Sequence, residues 1–375
     1  MLKNLINSES LSDYWRNIDK SILFSFLALF FLGVFFSFSS TSSLASERLN
    51  KDFYHYFSKH LIFSIFAILI MFTISYLKIS FLKKLILPIF IISLILLILV
   101  PFIGVEIKGA KRWLDFYIFR LQPIELIKPF FVLITASLIT RGKEKNSNYS
   151  YFLSLFFLSL IIILLLNQPD LGQTILLVTT WVSIVFISGV KISYILLLFV
   201  FLIICFVSLL AIFPEKFGYI SQRLSTFFDP TKGDNFQTDK ALAAIKEGGL
   251  KGQGMGEGIL KESVPEAHTD YIIAVITEEF GSIISIFVIT IFLYISYKII
   301  KNCIKNPNEN YKIALCGLSS LLIFQTFIHI GVNTSLLPTT GMTLPFLSYG
   351  GSSLIGSSVL AGVILNFTKK RFENE

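Results

Sequence analysis

Charge is what this chain has least of. Only 15% of its 375 residues are Asp, Glu, Lys or Arg, and 54% are hydrophobic. A soluble domain carries about 25% charged residues, so a soluble globular class is excluded. Cysteine is scarce too: Cys205, Cys303 and Cys316 show no metal-ligand spacing, which sets aside a disulfide scaffold or zinc site and leaves structural thiols. No small-residue cleavage site follows the first apolar run, and the opening residues carry charges of both signs. The first helix is therefore expected to be retained rather than removed as a signal peptide. No internal repeat or low-complexity segment stands out, so 1–375 reads as a single transmembrane domain. The net charge of +8 is not a nucleic-acid signal, because excess Lys and Arg in a membrane protein marks cytoplasmic loops. Glycines at Gly248, Gly249, Gly252, Gly254 and Gly256 have a spacing seen in nucleotide loops, but no strand–helix context surrounds them, and no nucleotide is expected.

What is present is apolar length. About ten runs meet the roughly 18 to 25 residues needed to cross a bilayer, near 21–39, 61–77, 85–104, 123–139, 150–166, 171–188, 192–213, 271–297, 313–335 and 348–367. The expected fold is an all-α polytopic membrane protein with both termini cytoplasmic. Basic clusters such as Lys83–Lys84, Arg141–Lys145, Lys298–Lys312 and Lys369–Arg371 fall on one side of that scheme, and 167–170 and 336–347 on the other carry none. One short outer loop breaks the trend with Lys108, Lys111, Arg112 and Arg120, a placement that suits an anionic ligand. The one long connection, 214–270 between the seventh and eighth helices, is too long for a turn. Its amphipathic piece Thr238–Lys246 suggests partial order against the outer face.

Three clusters carry polar chemistry. In the first, Asp270 sits where the polar loop enters an apolar helix, beside Glu266 and His268. Burial and like charge both raise a carboxyl pKa toward the range of a general base. Helix capping by Thr269 or Asp270 is the bland alternative. Glu278 and Glu279 follow about 12 Å further along a helix. An intramembrane charge costs about 3 kcal/mol unless paired or hydrated, so they call for a buried Lys or Arg, or a proton path.

The second cluster is Gly109–Leu114 with Gln122–Pro129. Glu125 and Lys128 are three apart and can pair on a helix. Pro123 suits a first turn, and Pro129 is expected to kink or unwind the helix. Lys111 and Arg112 suit phosphate, since Arg offers a planar donor fork. Trp113 suits an interface anchor. The third cluster, Leu337–Ser353, is uncharged and dense in Pro, Gly and hydroxyls. It reads as a re-entrant turn around a cavity, placing Ser348 near substrate and requiring Gly350 and Gly351 for close backbone approach. A tight helix-packing turn is the alternative. Pro169-Asp170 reads as a turn, with Asp170 as a helix cap.

The stretches GAKRWL (109–114), QPIELIKP (122–129), NQPDLGQT (167–174), QRLSTFFDP (222–230), PEAHTDYIIAVITEEFG (265–281) and LPTTGMTLPFLSYGGSS (337–353) resemble the SEDS family (shape, elongation, division and sporulation), in that family's order. The resemblance implies ten transmembrane helices and a peptidoglycan glycosyltransferase acting on lipid II. The family's essential aspartate maps to Asp270, and its conserved Glu and Lys to Glu125 and Lys128. Ile124 stands where the family has Ser, and Thr340 where it has Lys. Ala267 and the Gly341–Leu344 stretch resemble the division-specific FtsW branch more than the elongation-specific RodA branch. Implied with it are a cognate class B penicillin-binding protein and divisome activators as partners, and the inner membrane at the septum as location.

The mechanism expected from this resemblance places two lipid II molecules at the outer leaflet under the 214–270 loop. Asp270 takes the acceptor hydroxyl proton, and the anomeric carbon inverts. Lys111, Arg112, Lys128 or a divalent cation (Mg or Mn) stabilises the undecaprenyl diphosphate leaving group. Two other readings compete: a lipid II flippase with Glu278, Glu279 and Glu125 as a charge relay, and a non-catalytic divisome scaffold. Crowding of the polar candidates on the outer side favours chemistry at the surface.

Overall fold

The computed structural model describes residues 11–40, 55–107, 109–117, 119–229 and 235–370. Lys108 and the side chain of Cys205 lie outside the described residues, while Cys303 and Cys316 are free thiols. Only a helix satisfies its own backbone within one segment, so each apolar run takes that form. The helices are α1 (Leu11–Asn17), α2 (Lys20–Ser40), α3 (His55–Tyr76), α4 (Ile79–Ile103), α5 (Pro123–Glu144), α6 (Tyr149–Asn167), α7 (Leu171–Ile187), α8 (Ile192–Ile212), α9 (Pro214–Phe228), α10 (Phe236–Gly248), α11 (Ile272–Lys305), α12 (Glu309–Asn333) and α13 (Gly351–Phe367). Among the described residues eight are long and apolar enough to cross a membrane, and the shorter α7 and α13 complete the ten runs of the sequence. The chain is a multi-pass membrane protein.

Two features sharpen the all-α expectation. The basic segment after α4 is a small antiparallel sheet, β1 (Val105–Ile107), β2 (Ala110–Asp115) and β3 (Arg120–Leu121), in the order β1-β2-β3. Gly109, at φ +76°, makes the tight turn that pairs Ile107 with Ala110. The long connection holds α9, α10 and a short 3₁₀ turn at Leu260–Ser263, so the amphipathic Thr238–Lys246 piece is the body of α10.

The central helices are α5, α12 and α13. Their buried faces include Ile127, Phe131, Leu318, Leu322 and Ile364. Pro129 sits inside α5, which continues as a helix to Glu144, so the expected unwinding does not occur. Helices α3 and α13 run the same way in fixed register: a Cβ on Gly351 would meet the Phe63 ring, and one on Gly362 would meet Ile74.

Helix α11 is two helices joined at Gly281, whose φ of 81° and ψ of 168° break the α pattern. Such a break orphans backbone groups, which need new partners. The loop after α10 supplies them: Gln253 N–H donates to Glu278 O (2.8 Å) and Gly254 N–H to Glu279 O (3.0 Å), while Ser282 N–H donates to Gly249 O (2.9 Å). Only glycine fits at Gly252 and Gly281, where a Cβ would lie 2.2 Å from Glu279 O and Leu250 O respectively. The sequence reading of one uninterrupted helix over 271–297 is corrected on this point. An outer piece, 272–280, belongs to the loop layer, and the piece beyond Gly281 reaches Lys305.

Candidate active site

Asp270 lies in the turn just before α11. The N-cap position of that helix is Tyr271, which makes no side-chain cap hydrogen bond, rather than Asp270 or Thr269. Thr269 Oγ1 instead donates to Glu266 Oε2 at 2.9 Å. The turn is held by its backbone: Glu266, at φ +56°, accepts Thr269 N–H (3.0 Å) and Asp270 N–H (3.1 Å) on its carbonyl. Asn333, fully buried on α12, donates Nδ2 to Asp270 O (2.9 Å) and accepts Ala274 N–H (3.3 Å) on Oδ1.

The Leu337–Ser353 segment is knit onto the same turn. Ser348 Oγ donates to Thr269 O (2.6 Å) and accepts Leu344 N–H (2.8 Å), and Tyr349 N–H donates to His268 O (2.8 Å). His268 stacks on Tyr56 with ring centroids 5.1 Å apart. Burial holds the His268 imidazole below its usual pKa, against the upward pull of Glu266 and with a smaller downward push from Lys261. Ser348 is thus buried and structural in its contacts. Gly351 meets Phe63 rather than an open cavity, which corrects its assignment toward helix packing; a Cβ on Gly350 would meet only Ser353, at 3.5 Å.

Arg112 on β2 crosses to the α6–α7 turn. Its Nε donates to Gln168 O (3.0 Å) and lies 4.0 Å from Asp170 Oδ2, and its Nη2 donates to Pro169 O. That leaves Nη1. A Cβ on Gly341 would sit 3.7 Å from Arg112 Nη1 and 3.5 Å from Asp270 Oδ2, and outside the flanking Thr340 and Met342 no other described heavy atom lies within 4 Å. Gly341 is exposed, and its φ of +67° suits glycine. One vacant position is therefore within contact distance of both the carboxylate and the guanidinium. Lys111 is exposed beside Arg112, and Trp113 is half-buried opposite Val105 in the sheet.

Asp170 does cap α7, accepting Gln173 N–H at 3.3 Å, but capping was only part of its role. It also accepts Gln122 Nε2 (3.3 Å) and faces Arg112. Burial raises its carboxyl above the usual range, with Arg112 pulling the other way. From there a polar network runs inward. Gln173 Nε2 donates to Glu125 Oε1 (2.9 Å), Glu125 Oε2 pairs with Lys128 Nζ at 2.8 Å, and Lys128 donates to Gln325 Oε1 (3.1 Å). Gln325 Nε2 closes on Thr343 O (3.0 Å), so the pair is tied to the 337–353 segment. Glu125 and Lys128 are both buried, and a cavity with room for about one water lies beside them, lined also by Pro129, Pro345 and Gly356.

Glu278 and Glu279 serve the loop. Glu279 accepts from Lys261, Ser39 and Gly256 N–H, and Glu278 accepts Leu260 N–H at 2.7 Å. Pairing with a buried lysine, one of the two readings of these carboxylates, holds for Glu279 with Lys261, whereas Glu278 is held by backbone N–H and its Oε2 is buried with no hydrogen-bond partner among the described residues. Sequence reading named neither Asn333 nor Gly341 as functional and took Asp170 for a turn; the latter lies in the NQPDLGQT stretch, which was the available signal.

A family model described as cell cycle protein (FtsW/RodA/SpoVE) matches residues 19–373. The chain is 32% identical over 358 residues to the probable peptidoglycan glycosyltransferase FtsW of Caulobacter vibrioides, covering 96% of this chain and 91% of that one. It is also 32% identical over 369 residues to the protein of the same name from Haemophilus influenzae, covering 94% and 92%. Among solved structures it is similar to a chain from a study of polymerization and crosslinking by a peptidoglycan synthase complex, with a TM-score of 0.76, 25% identity and coverage of 94% and 97%. Similar too is the rod shape determining protein RodA of Thermus thermophilus, with a TM-score of 0.69, 25% identity and the same coverage. The chain belongs to the SEDS family of cell-cycle proteins, and the two relatives named above both carry the name FtsW.

Proposed function

We propose that this chain is a peptidoglycan glycosyltransferase that polymerises lipid II at the division septum, with Asp270 as its general base. The observation that carries the reading is the vacant position over Gly341, in reach of Asp270 Oδ2 and Arg112 Nη1 at once. A reacting centre held there has a proton acceptor on one side and a fixed positive charge on the other, which is what acid–base glycosyl transfer needs. The acceptor sugar hydroxyl gives its proton to Asp270 as its oxygen bonds to the donor's anomeric carbon. The bond from that carbon to the diphosphate breaks, its electron pair leaves on the undecaprenyl diphosphate, and the carbon inverts.

Lys128 drops out as a direct ligand of the diphosphate, because Glu125 and Gln325 already occupy it inside the bundle. The Glu125–Lys128 pair supports the site through Gln173 and Thr343. Glu266 and His268 shape the Asp270 turn, and Lys111 stands exposed where the diphosphate approaches. A divalent cation, Mg or Mn, is the expected helper, yet no three His, Cys, Asp or Glu side chains converge among the described residues. The side chains present do not form a cage for a resident ion, and no step here depends on one. The flippase reading needs Glu278, Glu279 and Glu125 to relay charge together; Glu279 and Glu125 are each tied to a lysine, which leaves Glu278 alone without one among the described residues.

The likeness to a chain from a peptidoglycan synthase complex supports a class B penicillin-binding protein as partner, with divisome proteins as activators. In this reading both termini lie in the cytoplasm, as the one-sided basic clusters favour, with the 214–270 segment outside. The test is Asp270→Asn, purified with the partner and supplied with lipid II. Glycan strands should vanish while the melting temperature in detergent stays within a few degrees of wild type. Strand synthesis near the wild-type rate would reduce Asp270 to a turn residue.

A further inference from the structure

The polar groups around Gly341 include one cation that the reaction scheme has not used. Arg223 lies on α9, outside the membrane-spanning helices, and donates Nη1 to Thr339 O at 3.2 Å. Thr339 is two residues before Gly341, so Arg223 reaches the same short segment that Arg112 and Asp270 flank. Tyr219, one turn earlier on α9, lies under the Arg223 guanidinium at 5.9 Å and donates its hydroxyl to Leu166 O at 3.5 Å, joining that face of α9 to the last turn of α6. Arg223 is half-buried, and both burial and the nearby Arg112 charge work against its own. The two guanidiniums thus flank one segment, Arg223 at Thr339 and Arg112 beside Gly341, and only Arg112 pairs with Asp170. Thr340, packed against Gly172 at the start of α7, adds a buried hydroxyl with no hydrogen-bond partner in the described structure.

We propose that Arg223 and Arg112 are two arms of a cradle for the diphosphate of the lipid-linked substrate, set over Gly341 and beside Asp270. This rests on the assignment of Asp270 as base. The charge count gives the reason for two arginines. Before reaction, Arg112 and Arg223 balance Asp170 and Asp270. When Asp270 takes the hydroxyl proton it becomes neutral, and the cradle is left with an excess of one positive charge. At that moment the departing diphosphate gains the electron pair of the broken bond to the anomeric carbon. The site's charge change therefore complements that of the leaving group, which is stabilisation of the transition state rather than of bound substrate alone. Arg112 offers only Nη1, because its other edge holds the α6–α7 turn, so a second fork is needed to grip two phosphates.

The test uses the full-length protein in detergent with two probes, undecaprenyl diphosphate and undecaprenyl phosphate. Arg223→Gln should weaken diphosphate binding about tenfold to a hundredfold, the range of a lost charge-assisted hydrogen bond, with a much smaller change for the monophosphate. Arg223→Lys, which keeps charge and bulk but not the fork, should recover part of the diphosphate affinity and serves if the Gln variant does not accumulate. With lipid II, both variants should lower kcat as well as raise KM. Unchanged diphosphate affinity, or equal loss for both probes, overturns the cradle. If wild type fails to polymerise lipid II while the diphosphate preference still depends on Arg223, it is the proposed activity that falls and the cradle that stands.

Discussion

The buried pair Glu125–Lys128 allows a quantitative test of how the bundle tolerates charge. The two side chains are 3% and 4% exposed and 2.8 Å apart. Glu125→Ala leaves Lys128 with Gln325 alone, and Lys128→Ala leaves Glu125 with Gln173 alone. Removing one partner of a buried pair costs about 3–5 kcal/mol, because the other charge is stranded. The adjacent cavity has room for about one water, which hydrates the survivor in part and places each single loss toward the low end. Replacing both by methionine removes both desolvation penalties and should cost less than either single change. With the two single changes also made to methionine, the double-mutant cycle should then show a coupling of more than about 3 kcal/mol. The measurement is reversible unfolding of the detergent-purified proteins by a denaturing surfactant, read by tryptophan fluorescence, with membrane level as a second readout. Losses that simply add, leaving no coupling, would refute the idea that the two charges stabilise one another.

Gly341→Ala should accumulate, because the new Cβ finds only ordinary contacts, with a penalty of about 1–2 kcal/mol from the left-handed backbone. Lipid II turnover should nevertheless fall at least about tenfold, since the methyl occupies the position between Asp270 and Arg112; turnover at the wild-type level would show that substrate does not pass there. His268 should make a pH-dependent contribution. Its folded pKa lies below the usual value of about 6.5, so the unfolded chain takes up the proton first and stability declines as pH falls below about 6.5. The melting temperature of wild type minus that of His268→Gln should therefore shrink between pH 7.5 and 5.5, and a difference independent of pH would count against this account.

Much of the fold could be read from the sequence because the signals involved are local. Ten apolar runs became ten helices, since run length and backbone satisfaction fix that outcome residue by residue. The Glu125–Lys128 pair was legible for the same reason, being three apart on one helix. What escaped was pairing across distance in the chain. Asp170 looked like a cap because its cap is local, whereas its partner Arg112 comes from the sheet between α4 and α5. The sheet itself is built from strands of three, six and two residues, too short for a period of two to show. The break at Gly281 was hidden because apolar stretches lie on both sides of Thr277–Ser282 and read together as one run, and it becomes explicable only when Gly249–Gly254 is seen to take over its backbone bonds. Gly351 was read for its lack of a side chain, but what approaches it is Phe63 rather than substrate.

The divided helix α11 also bears on the order in which the protein is made. The piece after Gly281 carries its own backbone bonds into the membrane and can insert unaided. The piece before it cannot be completed that way, since Glu278 and Glu279 find their side-chain and backbone partners in residues 253–261. Those residues precede the helix in the chain and must already lie on the same face of the membrane. With the loop outside, as proposed above, the turn bearing Asp270 is finished only after the loop has crossed and folded. A nascent or mis-inserted chain holds the aspartate in the correct sequence position without its carbonyl anchored or Gly341 beside it. On the proposed topology, the arrangement around Asp270 is in this sense a product of translocation, built on one face of the bilayer and absent until the chain has arrived there.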